Sequence, residues 1–273
     1  MCPVKEPYFF ACEGGMPAFT GPEDDLLQSV VVTDFAAYRA LFDEAGDARA
    51  IGEATPLYLY HEAAPPCIHH YLPDARIIIM LRNPVDRAYS HFWHRIRGSR
   101  EPLRDFEQAL NAEAERRSAG WEWFWRYADF GFYHAQVKRY LDTFGKAQVR
   151  IYLYEDFAAD PAVLLRDIFG FIGVDPSFQA DVRLQYNKTG RPRSRLLHYL
   201  FHPRSPVRAV IRTLFPLETK RRLATRLQQV NTYKPPLEDA VRNRLATRFQ
   251  DDVLKLQALI GRDLSAWLPD TPP

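Results

Sequence analysis

The sequence is poor in cysteine and contains no long apolar run. Its three cysteines, Cys2, Cys12 and Cys67, form neither a C-x-x-C pair nor a Cys/His ligand pattern. This set argues against a disulfide framework and a structural zinc site, and it favours reduced thiols in a cytoplasmic protein. No apolar run approaches the ~20 residues of a membrane-spanning helix. Residues 1–20 also lack the basic and apolar regions of a secretory signal peptide.

The sequence also lacks a large net charge of either sign. The 36 basic and 34 acidic residues leave a net charge of +2, so no field suited to a nucleic-acid partner covers the whole chain. Apolar content is plentiful. Hydrophobic residues make up 47% of the 273 residues, which is enough for one large domain or two small ones.

Two apolar runs predict buried strands, at residues 76–81, where both faces are apolar, and at residues 149–154. Helical patterns surround them, at residues 85–97, 133–144, 161–172 and 237–260. This alternation predicts an α/β fold with a parallel sheet.

The remaining stretches are less regular. Residues 98–130 are predicted to be mostly helical, and residues 237–268 to form a closing helix and tail with Gly261 as the C-cap. The aromatic cluster at residues 121–125 could stack on a sugar, but its helical spacing favours the core. Residues 194–230 form a basic helical segment. Its amphipathic pattern suggests an anionic acceptor or an anionic membrane surface, or else a solvated basic face.

The loop after the first strand carries the strongest chemical signal. Arg82 follows the strand, Pro84 suits the first turn of a helix, and Ser90 lies about two turns along it. A strand end that meets the free N–H groups of a helix N-terminus is an anion-binding arrangement in α/β folds. The pattern predicts that Arg82 and Ser90 bind a phosphate, although an arginine at a sheet edge and a serine facing a helix would share this spacing.

This loop resembles the 3′-phosphate-binding motif of sulfotransferases that use 3′-phosphoadenosine 5′-phosphosulfate (PAPS). Other segments resemble the same family in the same order, most closely its bacterial and heparan-sulfate members. These segments are residues 5–10, 52–58, 131–133, 154–157, 187–192 and 261–267. The resemblance covers nearly the whole chain. It implies one domain over residues 1–273 with a P-loop-like α/β fold, a parallel sheet flanked by helices.

The resemblance also implies how the donor is bound. Arg82 and Ser90 would hold the 3′-phosphate of PAPS, and a late loop would close over the nucleotide. The candidate residues of that loop are Asn187, Lys188, Gly190 and Arg191. A solvated basic loop is the alternative interpretation of this segment.

On the acceptor side, Glu6 matches the family's catalytic glutamate and is the candidate general base. His94 lies one helical turn after Ser90, where it would assist proton transfer or serve a structural role. The candidate acceptor-binding residues are Lys5, Glu53, Thr55 and Tyr133.

These residues together predict a sulfotransferase that moves a sulfuryl group from PAPS to a hydroxyl or amine, with carbohydrate as the first candidate acceptor and no metal. A nucleotide kinase would need a Walker loop and Mg²⁺ ligands, which the sequence lacks. The alternative is a non-catalytic remnant that binds adenosine 3′,5′-bisphosphate or an anionic partner.

The family's phosphosulfate loop, G-x-x-K-x-G-T-T, is expected before the segment that begins at Lys5, and the sequence contains no such loop. We therefore expect the first strand, loop and helix of the fold to be missing from this chain. The DNA upstream of the Met1 codon should read in frame through roughly 25–45 residues, the span of one βα unit, and encode that loop. Translation of the upstream DNA checks this. A stop codon close before Met1 would favour the non-catalytic alternative.

Overall fold

The computed structural model describes residues 2–22, 27–182, 191–192 and 232–269. Of residues 191–192 and 232–233 it describes the backbone alone. The predicted donor ligands Asn187, Lys188 and Gly190 lie outside the described residues, as does the basic segment at 194–230.

Two parallel strands form the described sheet, β1 (Ile77–Leu81) and β2 (Val149–Leu153). Ile77 pairs with Val149 and Leu81 with Leu153, so the two strands end together. This pairing confirms the predicted parallel strands, with boundaries that differ from the prediction by one residue. A short antiparallel pair, β3 (Arg191–Pro192) and β4 (Thr232–Tyr233), lies further along the chain.

β1 is buried on one face only. Ile79 and Leu81 are 5% and 0% exposed, whereas Ile78 and Met80 keep 40% and 41% of their surface exposed. The prediction that β1 is buried on both faces is wrong for the described part of the chain. Alternate side chains of a strand point to opposite faces, and the described residues cover the second face only in part.

Helices surround the two strands. In chain order the main ones are α1 (Phe9–Cys12), α2 (Phe35–Ala40), α3 (Leu57–Tyr60), α4 (Ala64–Tyr71), α5 (Pro84–Arg97), α6 (Phe106–Asn111), α7 (Glu113–Ser118), α8 (Tyr133–Gln148), α9 (Tyr154–Ala159), α10 (Pro161–Ile172) and α11 (Asp239–Ile260). None of the helices in the described ranges is long and apolar enough to cross a membrane.

The four helices with strong apolar periodicity, α5, α8, α10 and α11, lie where the sequence predicts them. α8 has a non-helical residue at Gly145, close to its predicted end, and Gly261 closes α11 in a left-handed conformation. Residues 98–130 are less helical than predicted, since short helices and 3₁₀ turns alternate with loops there. The short helices α1 to α4 were not predicted, because four to eight residues are too few to show a clear period.

The aromatic cluster belongs to the core, as its spacing predicted. Trp123 and Trp125 are 6% and 1% exposed. The guanidinium groups of Arg95 and Arg116 lie 4.0 and 4.7 Å from the centre of the Trp125 ring. Buried acids pair with both arginines: Glu122 with Arg95 at 2.9 Å and Glu101 with Arg116 at 2.8 Å. The cluster therefore ties the last turn of α5 to α7.

Gly131 sets how closely α11 approaches the start of α5. A Cβ atom at this position would lie 2.8 Å from Cζ of Phe249 and 3.0 Å from Cβ of Pro84. Phe249 is fully buried in α11, and Pro84 opens α5. Both neighbours are held by packing, so neither has room to yield.

We expect Gly131→Ala to lower the free energy of unfolding by about 1–3 kcal/mol, because the added methyl group overpacks this junction. The matched control is Gly170→Ala in α10, where a Cβ would meet nothing within 4 Å. That change should leave stability unchanged or raise it slightly, since alanine is the better helix former. Urea denaturation of both variants measures the difference, and equal stabilities would contradict the packing argument.

Candidate active site

The chain leaves β1 at Arg82 and enters α5 through Asn83. The side-chain oxygen of Asn83 accepts hydrogen bonds from the N–H groups of Val85 (3.0 Å) and Asp86 (3.3 Å), and Pro84 has no N–H to offer. This corrects the prediction that free N–H groups of the helix N-terminus bind the anion. An anion at this strand end must be held mainly by side chains, because the cap already occupies the first turn.

The surroundings of Arg82 fix its backbone and orient its side chain. The Tyr133 hydroxyl donates to the Arg82 carbonyl at 3.0 Å, and the Glu155 carboxylate accepts from the Asn83 N–H at 3.1 Å. The Arg82 guanidinium lies 4.8 Å from the centre of the Tyr154 ring. Within the described ranges Arg82 makes no ion pair, so its hydrogen-bond donors point to no acidic side chain there.

Tyr133 supports the strand end and has little surface to offer an acceptor. It is 3% exposed, and burial raises the pKa of its hydroxyl to about 12. In the structure Tyr133 therefore supports the strand end, and its role as an acceptor contact stays a prediction. The close-packed turn at Gly131 carries Tyr133 into the interior, which the linear motif did not reveal.

Ser90 and His94 lie one turn apart on α5, as predicted. A guanidinium nitrogen of Arg97 lies 3.2 Å from Nδ1 of His94. Arginine can only donate, so Nδ1 is the acceptor and the neutral ring carries its proton on Nε2. The pKa of His94 is lowered, first by partial desolvation and then by the positive charge of Arg97 and other nearby cations. His94 is therefore suited to donating a hydrogen bond rather than accepting a proton.

The Glu6 carboxylate is held at both oxygens. Lys5 lies 3.3 Å from Oε1, and the Tyr8 hydroxyl donates to Oε2 at 2.8 Å. Glu6 and Tyr8 both adopt left-handed backbone conformations, with φ of 54° and 59°. Non-glycine residues rarely do so, and such strain clusters at functional sites. Glu6 remains partly exposed, so the carboxylate is reachable from solvent.

The Glu53 carboxylate accepts hydrogen bonds from three hydroxyl groups. Thr55, Tyr58 and Tyr38 donate to its carboxylate at 2.6, 2.9 and 3.1 Å. Its pKa is raised, chiefly because burial disfavours the charged form, while these hydrogen bonds oppose the shift and the charge of Glu6 adds to it. Thr55 is itself buried and bonded to Glu53, so it contributes by holding that carboxylate.

Aromatic contacts connect the Glu6 segment to α5 and to Glu53. The Tyr8 ring lies 6.1 Å from the Phe124 ring, which lies 6.2 Å from the ring of His91 on α5. The Phe10 ring contacts Tyr38 and Tyr58, whose hydroxyls bind Glu53. Of the late loop, the backbone of Arg191 pairs with Tyr233 in the β3–β4 ladder. Sequence reasoning missed the tyrosines that hold the two carboxylates. Tyr8 and Tyr58 lie inside the motif segments and could have been found there, but Tyr38 carries no such signal.

Comparisons with known proteins identify the family of this chain. A family model described as "Sulfotransferase domain" matches residues 62–255. The crystal structure of a sulfotransferase from Alicyclobacillus acidocaldarius is 35% identical, with a TM-score of 0.75 over 97% of this chain and 86% of that one. Mouse heparan sulfate glucosamine 3-O-sulfotransferase 3A1 is 28% identical over 155 residues, which cover 56% of this chain and 38% of that protein.

A human relative extends the comparison to N-sulfation. Bifunctional heparan sulfate N-deacetylase/N-sulfotransferase 2 is 29% identical over 127 residues, 45% of this chain and 14% of that protein. The matches therefore span less than half of the length of these two curated relatives. The structural similarity supports the predicted α/β fold, with helices that flank a parallel sheet.

We expect Arg82→Ala to weaken binding of adenosine 3′,5′-bisphosphate by on the order of 1.5–3 kcal/mol, the value of a charge-assisted hydrogen bond to phosphate. Ser90→Ala should weaken bisphosphate binding by a smaller amount. Arg166→Ala, which removes an exposed arginine from α10, is the control and should bind like wild type. Titration calorimetry gives the three affinities. If Arg82→Ala binds as tightly as wild type, Arg82 does not hold the 3′-phosphate.

Proposed function

The chain belongs to the sulfotransferase family, and on that premise we propose that it transfers a sulfuryl group from PAPS to a hydroxyl or amine of a carbohydrate. One observation carries the proposal. Glu6 has a strained backbone and a partly exposed carboxylate that accepts from the Tyr8 hydroxyl. The Tyr8 ring contacts Phe124, which contacts His91 on α5, the helix that follows Arg82. The candidate base and the candidate donor cation are thus connected through α5.

The reaction assigned to this site is an in-line displacement. The acceptor oxygen or nitrogen forms a bond to sulfur, and the bond from sulfur to the 5′-phosphate oxygen breaks. Glu6 takes the proton that the acceptor loses, and adenosine 3′,5′-bisphosphate leaves. Arg82 and Ser90 would hold the 3′-phosphate throughout, so the nucleotide keeps its position while charge moves at sulfur.

Lys5 and Tyr8 orient the Glu6 carboxylate for this step. Each engages a different oxygen of Glu6, which fixes the plane of the carboxylate relative to the acceptor. The proton on Nε2 of His94 would donate a hydrogen bond to the acceptor or to the transferring group. Glu53, which accepts hydrogen bonds from three hydroxyl groups, is assigned to the acceptor side of the proposed site.

Carbohydrate is the proposed acceptor because both curated relatives compared above carry heparan sulfate in their names. A role for a phosphosulfate loop in stabilising the leaving group stays a prediction. Cytoplasmic location and contact of the basic segment with an anionic membrane also stay predictions.

The test is sulfuryl transfer from radiolabelled PAPS to a panel of oligosaccharides. We expect Glu6→Gln to lower turnover by roughly 10²–10⁴-fold, because the amide keeps the shape of the side chain but cannot accept the proton. Its affinity for adenosine 3′,5′-bisphosphate should stay near that of wild type. The control is Glu44→Gln, at an exposed carboxylate in the 3₁₀ turn at Asp43–Ala45, which should change neither quantity.

Two results would revise the proposal. Full turnover by Glu6→Gln would mean that another group takes the proton. Wild-type protein that binds the bisphosphate but transfers no sulfuryl group to any acceptor in the panel would favour the non-catalytic alternative.

A further inference from the structure

A lysine that sequence analysis did not single out lies beside the strand end that carries Arg82. Lys234 directly follows β4, and its ammonium group lies 4.8 Å from the centre of the Tyr89 ring on α5. The Tyr89 hydroxyl donates to the carbonyl of Pro235 at 3.0 Å. Tyr89 therefore positions both the side chain of Lys234 and the backbone next to it, across 146 residues of sequence.

The charges around Lys234 are unbalanced. Arg82 and Arg242 are close enough that their positive charges lower the pKa of Lys234, after the larger effect of burial. Asp86 is a nearby carboxylate that opposes the shift, but it already accepts a hydrogen bond from Arg242 at 2.9 Å. Among the described residues, three cations thus lie around Asp86, the next carboxylate is Glu155 at the Asn83 N–H, and Lys234 is half-buried. Such an excess of like charge is unfavourable unless an anion joins it.

We propose that Lys234 is a further ligand of the 3′-phosphate that Arg82 and Ser90 hold, an inference that rests on the donor site of the proposed function. A phosphate monoester carries up to two charges and three acceptor oxygens, more than one arginine and one hydroxyl satisfy. Asn83 already occupies the N–H groups of Val85 and Asp86, so the additional donors must come from side chains.

The backbone topology supports the same placement. Arg191, the end of the predicted nucleotide-closing loop, pairs with Tyr233, the residue before Lys234. Residues 232–234 therefore follow the backbone of Arg191, and the side chain of Lys234 lies against Tyr89 of α5.

A purely structural role makes a different prediction. If Lys234 serves only to stack on Tyr89, its loss should lower stability and affect every nucleotide alike. A 3′-phosphate ligand should matter only for nucleotides that carry a 3′-phosphate. Adenosine 5′-monophosphate, which lacks that group, therefore separates the two roles.

The experiment is titration calorimetry of the full chain with adenosine 3′,5′-bisphosphate and with adenosine 5′-monophosphate. We expect Lys234→Met to weaken binding of the bisphosphate on the order of tenfold, because one charge-assisted hydrogen bond is lost. Its affinity for the monophosphate should equal that of wild type. Tyr89→Phe removes the hydrogen bond to the Pro235 carbonyl but keeps the ring. This change should weaken binding of the bisphosphate alone, and by a smaller factor than Lys234→Met. The matched control is Lys255→Met, at an exposed lysine on α11, which should change neither affinity.

The outcomes separate this inference from the proposed function. If Arg82→Ala loses bisphosphate affinity while Lys234→Met does not, the donor site stands and the assignment of Lys234 is wrong. Equal losses for both nucleotides in Lys234→Met would also overturn it. Wild-type protein that does not bind the bisphosphate overturns both. Thermal unfolding of each variant establishes that the affinities compare folded proteins.

Discussion

The in-register parallel pairing of β1 with β2 is the constraint on which the site depends. Because Leu81 lies opposite Leu153, the next residues of both strands, Arg82 and Tyr154, emerge at the same edge and stack on each other. The residue after Tyr154 is Glu155, whose carboxylate then reaches the Asn83 N–H. A shift of one residue would separate these groups and turn every side chain of the strand to the opposite face. The turn at Arg82 and Asn83 is therefore fixed, and it sets the direction in which α5 leaves the sheet.

The capped start of α5 changes how an anion site at a strand end should be understood. In many α/β folds the N–H groups of the helix hold the anion directly. Here Asn83 satisfies two of them within the protein, so the helix keeps its stability without a ligand. On the proposals above, Arg82 and Lys234 would supply the anion-binding groups at this edge. Replacement of either side chain should then change nucleotide affinity and leave the capped strand end in place.

Local patterns predicted the central part of the fold and less of the site. Strand β1 and helix α5 were found because apolar periodicity and the Asn-Pro start are encoded within a few consecutive residues. The motif segments led to Glu6 and Glu53, which tyrosine hydroxyls hold, and to His94 on α5. Lys234 could not be predicted in this way, since its position depends on a strand pairing and on Tyr89, which lies far away in the sequence. The burial of Tyr133 depends likewise on the packing at Gly131.

Helix α5 also carries both halves of the proposed site. Its first turn follows Arg82 and holds Asp86, which pairs with Arg242, whereas its last turn holds His94. One helical turn advances about 5.4 Å, so the positions of Ser90 and His94 set a fixed spacing along the helix. Arg95 ties the last turn to Trp125, with its guanidinium 4.0 Å from the centre of the ring. On the proposed function, the rigidity of α5 keeps that spacing constant while the sulfuryl group is transferred.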